Sequence, residues 1–270
     1  MMDKEIITHI SNADYHKAEG ISASGLKLLS RSPAHYKYSV REETSAMKKG
    51  TAVHCAVFEP ERFKNEYIIA PDIDKRTKAG KEAYAELEMS GKIVLSSDEY
   101  SDVTDMAEAV RMDEVAGQLV TGGIAERSIF WDTNVMLDEV PVTARCKARP
   151  DYIKKVDGRY NIIDLKTAED ARPSVFTRAA YDYGYHLQAA HYHAGCTSAL
   201  DSPVGVFAFV VVEKKPPYAV MVYVASQDFM NLGRESNGRL INLYARCKAK
   251  NEWPAYETGV QELGVPAWAR

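Results

Sequence analysis

Two short apolar runs, each with an aspartate at one end, constrain the fold of this chain more than any other feature. Arg149-Pro150-Asp151 opens the first run, and Asp164-Leu165-Lys166 closes the second, with Asp164 thirteen residues after Asp151. The segment Val156-Asp157-Gly158-Arg159 lies between them and is typical of a hairpin turn. Because side chains alternate along a strand, we expect Asp164 and Lys166 on one face and Leu165 on the other, in a core.

The charges of this motif indicate a chemistry. Asp164 follows Ile162-Ile163, so it lies at the end of a buried strand, where a lone carboxylate is costly. Two carboxylates can share divalent cations, and Lys166 stays charged beside them. The lysine can hold an attacking water or stabilise charge on a phosphate. The motif suits a metal-dependent cut of a phosphodiester, although an isolated D-x-K triplet is usually surface charge.

Helices and further strands are predicted around this motif. One predicted helix starts at Ser22 or Ser24, and a second starts at Pro33. A third covers Gly50 to Phe63 and ends near Pro60, and a loop over 72–82 runs into a further helix. The other predicted helices cover 97–118, 173–182, 184–199 and 226–250. Predicted strands cover Ala125–Trp131, Val140–Cys146, Asp151–Val156, Tyr160–Lys166, Val204–Val212 and Ala219–Val224. The fold class is α/β (mixed α+β), with a central mixed sheet of about five or six strands flanked by helices.

We predict one domain over residues 1–270. It comprises an irregular arm at 1–20, a mainly helical part at 21–120, a sheet core with the motif at 121–225, and a C-terminal helix and tail at 226–270. Cys55, Cys146, Cys196 and Cys247 are far apart in sequence and are expected to be buried in a reducing cytoplasm. No signal peptide or membrane-spanning apolar run is found, so the predicted location is cytoplasmic, with no membrane partner.

The net charge of −4 argues weakly against a nucleic-acid partner, but the charge is unevenly distributed. Residues 141–180 carry nine Lys/Arg against five Asp/Glu, and residues 23–50 carry six against two. The acidic residues concentrate in 96–114. A DNA-handling protein needs a local basic surface rather than a basic total. Ordinary solvated faces are the alternative explanation.

Other residues are candidates for the same site. His54 lies among small and apolar residues, so it is either a core histidine or a metal ligand beside the aspartates. Gln188 and Tyr192 are four residues apart, so on a helix they share a face. They either border a phosphate or a nucleophilic water, or they form an ordinary polar stripe. Glu126 opens a predicted strand and supplies either a further carboxylate or a surface charge.

Some motifs are incomplete or missing. His186, His191 and His193 suggest zinc, but they do not form H-E-x-x-H, and no nearby cysteine or acidic residue completes a site. The sequence has no G-x-x-x-x-G-K-[ST], no G-x-G-x-x-G before a helix and no G-x-S-x-G. An ATP-driven motor, a dinucleotide site and a serine nucleophile elbow are therefore not expected.

The ordered set G-T-x-x-H, P-D, D-x-K and Q-x-x-x-Y resembles the PD-(D/E)XK nuclease superfamily, with its restriction-endonuclease-like core. Within it the chain is similar to the RecE-type exonuclease, the nuclease domain of exonuclease VIII. The similar stretches cover almost the whole chain in the same order, up to Trp253-Pro254 and Pro266-Ala267-Trp268. The N-terminal region of some relatives is absent, so a stand-alone nuclease is expected.

The resemblance implies a 5′→3′ exonuclease on linear double-stranded DNA that leaves 3′ single-stranded tails. It also implies Mg²⁺ dependence (with Mn²⁺ as a substitute) without ATP, a ring-shaped homotetramer, and a RecT-type single-strand annealing partner in phage recombination. A closed ring would keep DNA bound without ATP, with basic residues lining its hole and the acidic 96–114 helix facing outward.

The resemblance also implies roles for individual residues. His54, Asp151, Asp164 and the Leu165 backbone carbonyl would bind metal, and Lys166 would position the water. Gln188 and Tyr192 would support the site, and Glu126 is a possible further member. The candidates for holding the 5′-phosphate are Ser24, Lys27, Arg31 and Ser32.

Two other functions stay open at this stage. One is another nuclease of the superfamily, either an endonuclease or a Cas4-like or AddB-like enzyme. The scattered cysteines argue against the iron–sulfur cluster of the latter. The second is a non-catalytic module that binds DNA ends. The filled motif positions argue against that reading.

Overall fold

The centre of the protein is a five-stranded mixed sheet. The computed structural model describes residues 7–8, 10–40, 44–71, 73–74, 76–200, 202–256 and 259–265. The strands of the sheet are β4 (Ile124–Ala125), β7 (Tyr152–Val156), β8 (Arg159–Ala168), β9 (Val204–Glu213) and β10 (Val220–Val224). Their order is β10-β9-β8-β7-β4, with β8 and β9 parallel and the other neighbours antiparallel. This confirms the predicted central mixed sheet.

Two smaller sheets and the helices complete the described fold. β1 (Ile7–Thr8), β5 (Ser128–Leu137) and β6 (Val140–Ala148) form an antiparallel sheet, and β2 (Tyr67–Ile69) pairs in parallel with β3 (Ile93–Leu95). The helices are α1 (Asn12–Lys17), α2 (Ala23–Arg31), α3 (Pro33–Tyr38), α4 (Ser45–Phe58), α5 (Pro60–Glu66), α6 (Lys78–Met89), α7 (Ser97–Met112), α8 (Glu114–Leu119), α9 (Pro173–Asp182), α10 (Tyr185–Ala199) and α11 (Gln227–Lys250). Among the described residues, no helix is both long and apolar enough to cross a membrane.

Strand β8 lies between two hydrophobic cores. Ile163 and Leu165 pack into the core that includes residues of α4 and α7. Ile162 packs into the other core, which contains residues of α2, α9, α10 and α11. Because strand side chains alternate, Asp164 and Lys166 lie on the Ile162 face, which confirms the prediction for this motif.

Several predicted helix starts are confirmed by their caps. The Ser22 hydroxyl accepts the Gly25 N–H at the start of α2, and Ser32 caps α3 with Pro33 in its first turn. Ser96 and Glu99 form a capping box at α7. The turn between β7 and β8 is also as predicted, since Asp157 and Gly158 both have positive φ.

Some helix boundaries were predicted wrongly. The helix predicted from Gly50 begins at Ser45, because Thr44 caps it, and Pro60 starts α5. The helix predicted over 97–118 is two helices. The Asp113 carboxylate accepts the backbone N–H groups of Val115 and Ala116, which starts α8 and ends α7.

Other differences concern the arm, one strand and the tail. Part of the arm predicted to be irregular over 1–20 is helix α1, capped by Ser11. The predicted strand Ala125–Trp131 is divided at Glu126, whose φ is 51°. This backbone turn sends β4 to the central sheet and β5 to the smaller one. The predicted tail residues 266–268, and positions 72 and 75 of the predicted loop, lie outside the described residues.

Lys147 on β6 anchors α1, which lines the cavity described below. Its buried ammonium donates to the backbone oxygens of Tyr15 (2.9 Å), His16 (3.3 Å) and Ala18 (2.6 Å), at the carbonyl end of the helix. Lys147→Met keeps most of the stem but leaves these carbonyls without their donor. We expect the free energy of unfolding to fall by about 2 kcal/mol in urea titrations. Lys155→Met, at an exposed position on β7, is the control, and equal losses in the two variants would contradict this role.

Candidate active site

Asp164 and Lys166 form a buried ion pair on β8. The Asp164 side chain is 0 % exposed, and its Oδ1 accepts a hydrogen bond of 2.6 Å from Gln188 Nε2 on α10. Lys166 Nζ donates to Gln188 Oε1 at 3.3 Å and lies 4.7 Å from the centre of the Tyr185 ring. The side-chain amide of Gln188 therefore contacts both charged groups of the motif: its nitrogen binds Asp164, and its oxygen binds Lys166.

Asp151 joins this pair from the loop before β7. Its Oδ2 accepts the backbone N–H of Leu165 at 2.9 Å and lies 2.9 Å from His54 Nε2. The other ring nitrogen of His54 donates to the Gly50 carbonyl at 2.8 Å, within α4. His54, Asp151, Asp164 and Lys166, which are scattered in sequence, are thus brought together as predicted from their pattern.

The charges of the site act on one another. Burial raises the pKa of Asp164, the negative charge of Asp151 raises it further, and Lys166 lowers it without reversing the shift. For Asp151, burial works to raise the pKa, but His54, Lys166 and the Leu165 N–H hold it below its usual value. Burial works to lower the pKa of His54, but pairing with Asp151 raises it to about 9. The site therefore contains two carboxylates close enough to disfavour each other's ionisation.

Glu126 adds a third carboxyl group to this end of the sheet. Its backbone N–H donates to the Asp151 carbonyl at 3.0 Å. Burial raises the pKa of Glu126, and the negative charge of Asp151 raises it further, while His54 and Arg149 lower it. Its side chain is therefore electrostatically linked to the site, although its place between β4 and β5 differs from the predicted strand start.

Helix α10 packs closely against α11 in its first turn. A Cβ atom at Gly233 of α11 would lie 2.1 Å from the His186 carbonyl oxygen, so only glycine permits this approach. Asn237 Nδ2 donates to the Leu187 carbonyl at 2.9 Å. These contacts fix the backbone of the two residues just before Gln188. Tyr192, one turn later, lines the same cavity as Gln188, so the predicted common face of the two residues is present.

A second lysine, Lys27 on α2, reaches the same amide. Its Nζ donates to Gln188 Oε1 at 3.5 Å and lies 5.0 Å from the centre of the Tyr185 ring. Burial lowers the pKa of Lys27 to about 8, and the nearby charge of Lys166 acts in the same direction. Of the four phosphate candidates, Lys27 is the one that contacts the core of the site.

An open cavity of about 720 Å³ adjoins these residues. Its lining includes Ser24, Lys27, Arg149, Gln188 and Tyr192. One wall is provided by α1 and the other by α2, so the cavity leads from the surface to the Gln188 amide.

Arg31 and Ser32 are engaged elsewhere. Arg31 Nε donates to the Tyr256 hydroxyl at 3.1 Å, and the buried Ser32 caps α3 and lies 2.6 Å from His35 Nδ1. Neither residue lines the cavity. The structure therefore separates the four phosphate candidates into one pair at the cavity and another at the α2–α3 junction.

The oxygen donors of the site suit a hard divalent cation. Asp164 Oδ2 is buried and, although it lies against the Lys166 ammonium, it accepts no hydrogen bond of acceptable geometry. A cation would also relieve the repulsion between Asp151 and Asp164. In the described part of the chain, no three His, Cys, Asp or Glu side chains already surround an ion position. The pairs His54–Asp151 and Lys166–Asp164 would therefore have to open on binding.

The three histidines of α10 have separate environments. His191 is buried, 4.8 Å from the Trp131 ring, and its Nε2 lies 3.1 Å from the Lys147 carbonyl oxygen. His193 lies beside Thr197, and His186 stacks on Tyr181. A three-histidine zinc site is not formed by these residues.

The burial of His191 predicts a pH dependence of stability. Burial lowers the pKa of His191 to about 4, with hydrogen bonds to the Lys147 and Ile21 carbonyls acting in the opposite direction. As the pH falls, His191 becomes protonated in the unfolded chain before it does so in the folded protein. The stability that neutral, buried His191 contributes is therefore complete above about pH 6.5 and is lost towards pH 4. We expect a loss on the order of 3 kcal/mol across this window. Urea titrations of wild type and His191→Gln at pH 7.5 and 4 measure it. An equal pH dependence in both proteins would contradict it.

Two residues that contact the site were not assigned roles from the sequence. Tyr185 lies under both lysines, and Arg149 donates to Ser128 Oγ at 2.9 and 2.6 Å and to the carbonyl oxygen of Ile10 at 3.0 Å. The position of Arg149 in R-P-D is the one sequence signal for it. No local pattern predicts the position of Tyr185.

The fold and the placement of two carboxylates and a lysine define a PD-(D/E)XK-type site. The chain belongs to the family described as "PDDEXK-like domain of unknown function (DUF3799)", which matches residues 22–262. The membership supports a nuclease, the broad class predicted from the motif, but not the RecE type specifically. No curated protein matches the sequence.

One solved structure shares the fold at low sequence identity, and a second aligns more weakly. A Eubacterium rectale protein described as "Putative exonuclease" aligns over 91 % of this chain and 88 % of its own, with a TM-score of 0.59 and 12 % identity. The protein SSO0001 aligns over 78 % of this chain and 83 % of its own, with a TM-score of 0.29 and 13 % identity. The first alignment extends the fold likeness over nearly the whole chain.

Proposed function

We propose that this protein is a metal-dependent nuclease that hydrolyses phosphodiester bonds of DNA. The observation that carries the proposal is the joint engagement of Asp164 and Lys166 by Gln188, with Asp151 held by the Leu165 N–H. A buried cluster of this kind is unfavourable for stability alone, because two carboxylates share one low-dielectric site. Such clusters concentrate at functional sites.

Each residue of the site has a separate role in phosphodiester hydrolysis. Asp151 and Asp164, with His54 and the Leu165 carbonyl, would hold Mg²⁺ or Mn²⁺, which when bound stabilises charge developing on the phosphate. Lys166 positions the attacking water, and Gln188 orients Lys166. Tyr192 supports Gln188 from the next turn of α10. Lys27 lies at the cavity, where it can pair with a phosphate of the strand.

The finer proposal is a 5′→3′ exonuclease that acts on linear double-stranded DNA without ATP and leaves 3′ tails. The resemblance of the whole chain to RecE-type exonucleases supports it. The cavity beside Lys27, with Ser24 at its wall, supports it as a place for a strand end. On the same basis we propose a homotetrameric ring and a RecT-type annealing partner in phage recombination, with action in the cytoplasm.

A digestion of end-labelled DNA tests the reaction and its direction. Linear duplex labelled at the 5′ or the 3′ end is incubated with Mg²⁺, with Mn²⁺ or with a chelator, and a closed circle serves as the control. Early release of the 5′ label with an intact circle is the expected result. Cutting of the circle would replace the exonuclease by an endonuclease, and early release of the 3′ label would reverse the polarity.

The same digestion separates the two remaining readings. A module that only binds DNA ends would retain linear duplex and release no label with either metal. A Cas4-like enzyme would carry an iron–sulfur cluster, whereas Cys55, Cys146, Cys196 and Cys247 are buried and free, and among the described residues they form no group of three that could hold a metal. Visible absorption of the purified protein would favour the Cas4-like reading.

A further inference from the structure

The turn between α9 and α10 places four aromatic side chains next to the proposed active site. Its sequence is Tyr181-Asp182-Tyr183-Gly184-Tyr185-His186, and Gly184 adopts a left-handed conformation with φ of 64°. This sharp reversal separates the rings into two pairs. Tyr185 and His186 point into the structure, and Tyr181 and Tyr183 lie on the surface.

The inner pair connects the turn to the active site. The Tyr185 ring lies under the ammonium groups of Lys27 and Lys166 and packs on Phe209 at 5.7 Å. His186 is nearly buried and contacts Phe229 at 5.9 Å. Phe209 and Phe229 of the core therefore fix the two inner rings. Tyr185 is also held by the ammonium groups of Lys27 and Lys166.

The outer pair is exposed but held in place. The Tyr181 and Tyr183 side chains are 61 % and 64 % exposed. Tyr181 lies 5.4 Å from His186 with an angle of 16° between the rings, and Tyr183 lies 5.8 Å from Tyr185. Each outer ring thus rests on an inner ring and leaves much of its own surface to solvent, which lowers the entropy cost of binding a flat ligand.

We propose that Tyr181 and Tyr183 stack the unpaired bases of the DNA strand whose phosphate pairs with Lys27. This proposal rests on the proposed function and adds that the site recognises the unpaired bases of its DNA substrate. Aromatic rings beside a basic groove are how proteins bind single strands without sequence preference, since every base has a flat face. Tyr183 and the Lys166 ammonium both contact the Tyr185 ring, at 5.8 and 4.7 Å, so bases stacked on Tyr183 would lie one ring away from the reacting phosphate.

The consequence is that the protein holds the end of a duplex in a frayed state. Bases stacked on the outer tyrosines cannot pair with the complementary strand. Stacking one base on an aromatic ring stabilises the strand by an amount similar to the cost of opening one base pair at a duplex end. Tyr181 and Tyr183 together form a platform for bases. This platform therefore favours the separated strand that must enter the site.

A binding experiment without divalent metal tests the platform directly. Fluorescent single strands of 20 thymidines are titrated in chelator against wild type, Tyr181→Ala/Tyr183→Ala and Tyr181→Phe/Tyr183→Phe. A second ligand has the same backbone but abasic sites in place of bases. We expect wild type to bind the normal strand about 10-fold or more tightly than the abasic strand, and the double alanine variant to lose this preference. The phenylalanine variant keeps it, because the rings remain.

Different results distinguish the possible failures. An equal base preference in wild type and the alanine variant, with cleavage intact, overturns the platform and leaves the nuclease in place. Wild type that neither binds nor cuts DNA overturns the proposed function itself. Tyr38→Ala removes an exposed tyrosine of α3 (70 % exposed) and should keep the preference. Sedimentation of all variants measures their oligomeric state. If an oligomer dissociated only in the double alanine variant, the two rings would belong to a subunit contact, and the platform would be overturned.

Discussion

Replacing Asp164 by asparagine is expected to abolish cleavage of linear duplex DNA. Asparagine has nearly the same volume and keeps an oxygen for Gln188 Nε2, but it lacks the charge that a divalent cation needs. We expect the initial rate of nucleotide release with Mg²⁺ to fall at least about 1000-fold. Because the side chain is buried and its shape is kept, thermal unfolding followed by circular dichroism should remain a single transition.

Glu169→Gln is the matched control for this variant. Glu169 lies just after β8, is largely exposed and pairs with Lys214 on the surface. Loss of the same kind of charge there should leave the rate within about twofold of wild type, since surface ion pairs contribute little. Residual activity of Asp164→Asn at a tenth of wild type or more would remove Asp164 from the reaction.

Replacing Lys166 by methionine is expected to lower the rate of cleavage about 100- to 10,000-fold. Methionine fills much of the same space but can neither position water nor donate to Gln188 Oε1. The loss should lie in the rate at saturating DNA rather than in binding, because Lys27 remains beside the same amide. Single-turnover cleavage with excess protein measures the rate, and titration of DNA in chelator measures the affinity.

Two further variants sharpen this result. Lys155→Met removes an exposed lysine from the neighbouring strand β7 and should change neither quantity. Lys166→Arg keeps the charge, but its larger planar group presents its donors in another geometry towards Gln188, so only partial activity is expected. If methionine lowered affinity and left the single-turnover rate unchanged, Lys166 would be a phosphate-binding residue only.

The motif on β8 could be predicted from sequence because its information is local. Strand alternation alone places Asp164 and Lys166 opposite Leu165, and the capping serines of α2, α3 and α7 act within one turn. The meeting of Lys27 with Gln188 could not be predicted in this way. It depends on the packing of α2 and α10 across a core, which no short stretch of sequence encodes.

The errors also have physical causes. Asp113 lies within a helical pattern, but its side chain accepts two backbone N–H groups and starts a new helix. Glu126 adopts a left-handed backbone conformation that propensity does not favour for this residue. In each case a specific contact or turn overrides the average preference of the residues around it.

The hydrogen bond from the Leu165 N–H to Asp151 makes one backbone amide a reporter of the whole site. That amide can exchange with solvent deuterium only when Asp151 moves away or β8 separates from its neighbours. Its rate of exchange therefore measures how often Asp151 leaves the Leu165 amide in solution. An ion held by both aspartates should slow this single amide far more than the amides of the surrounding strands.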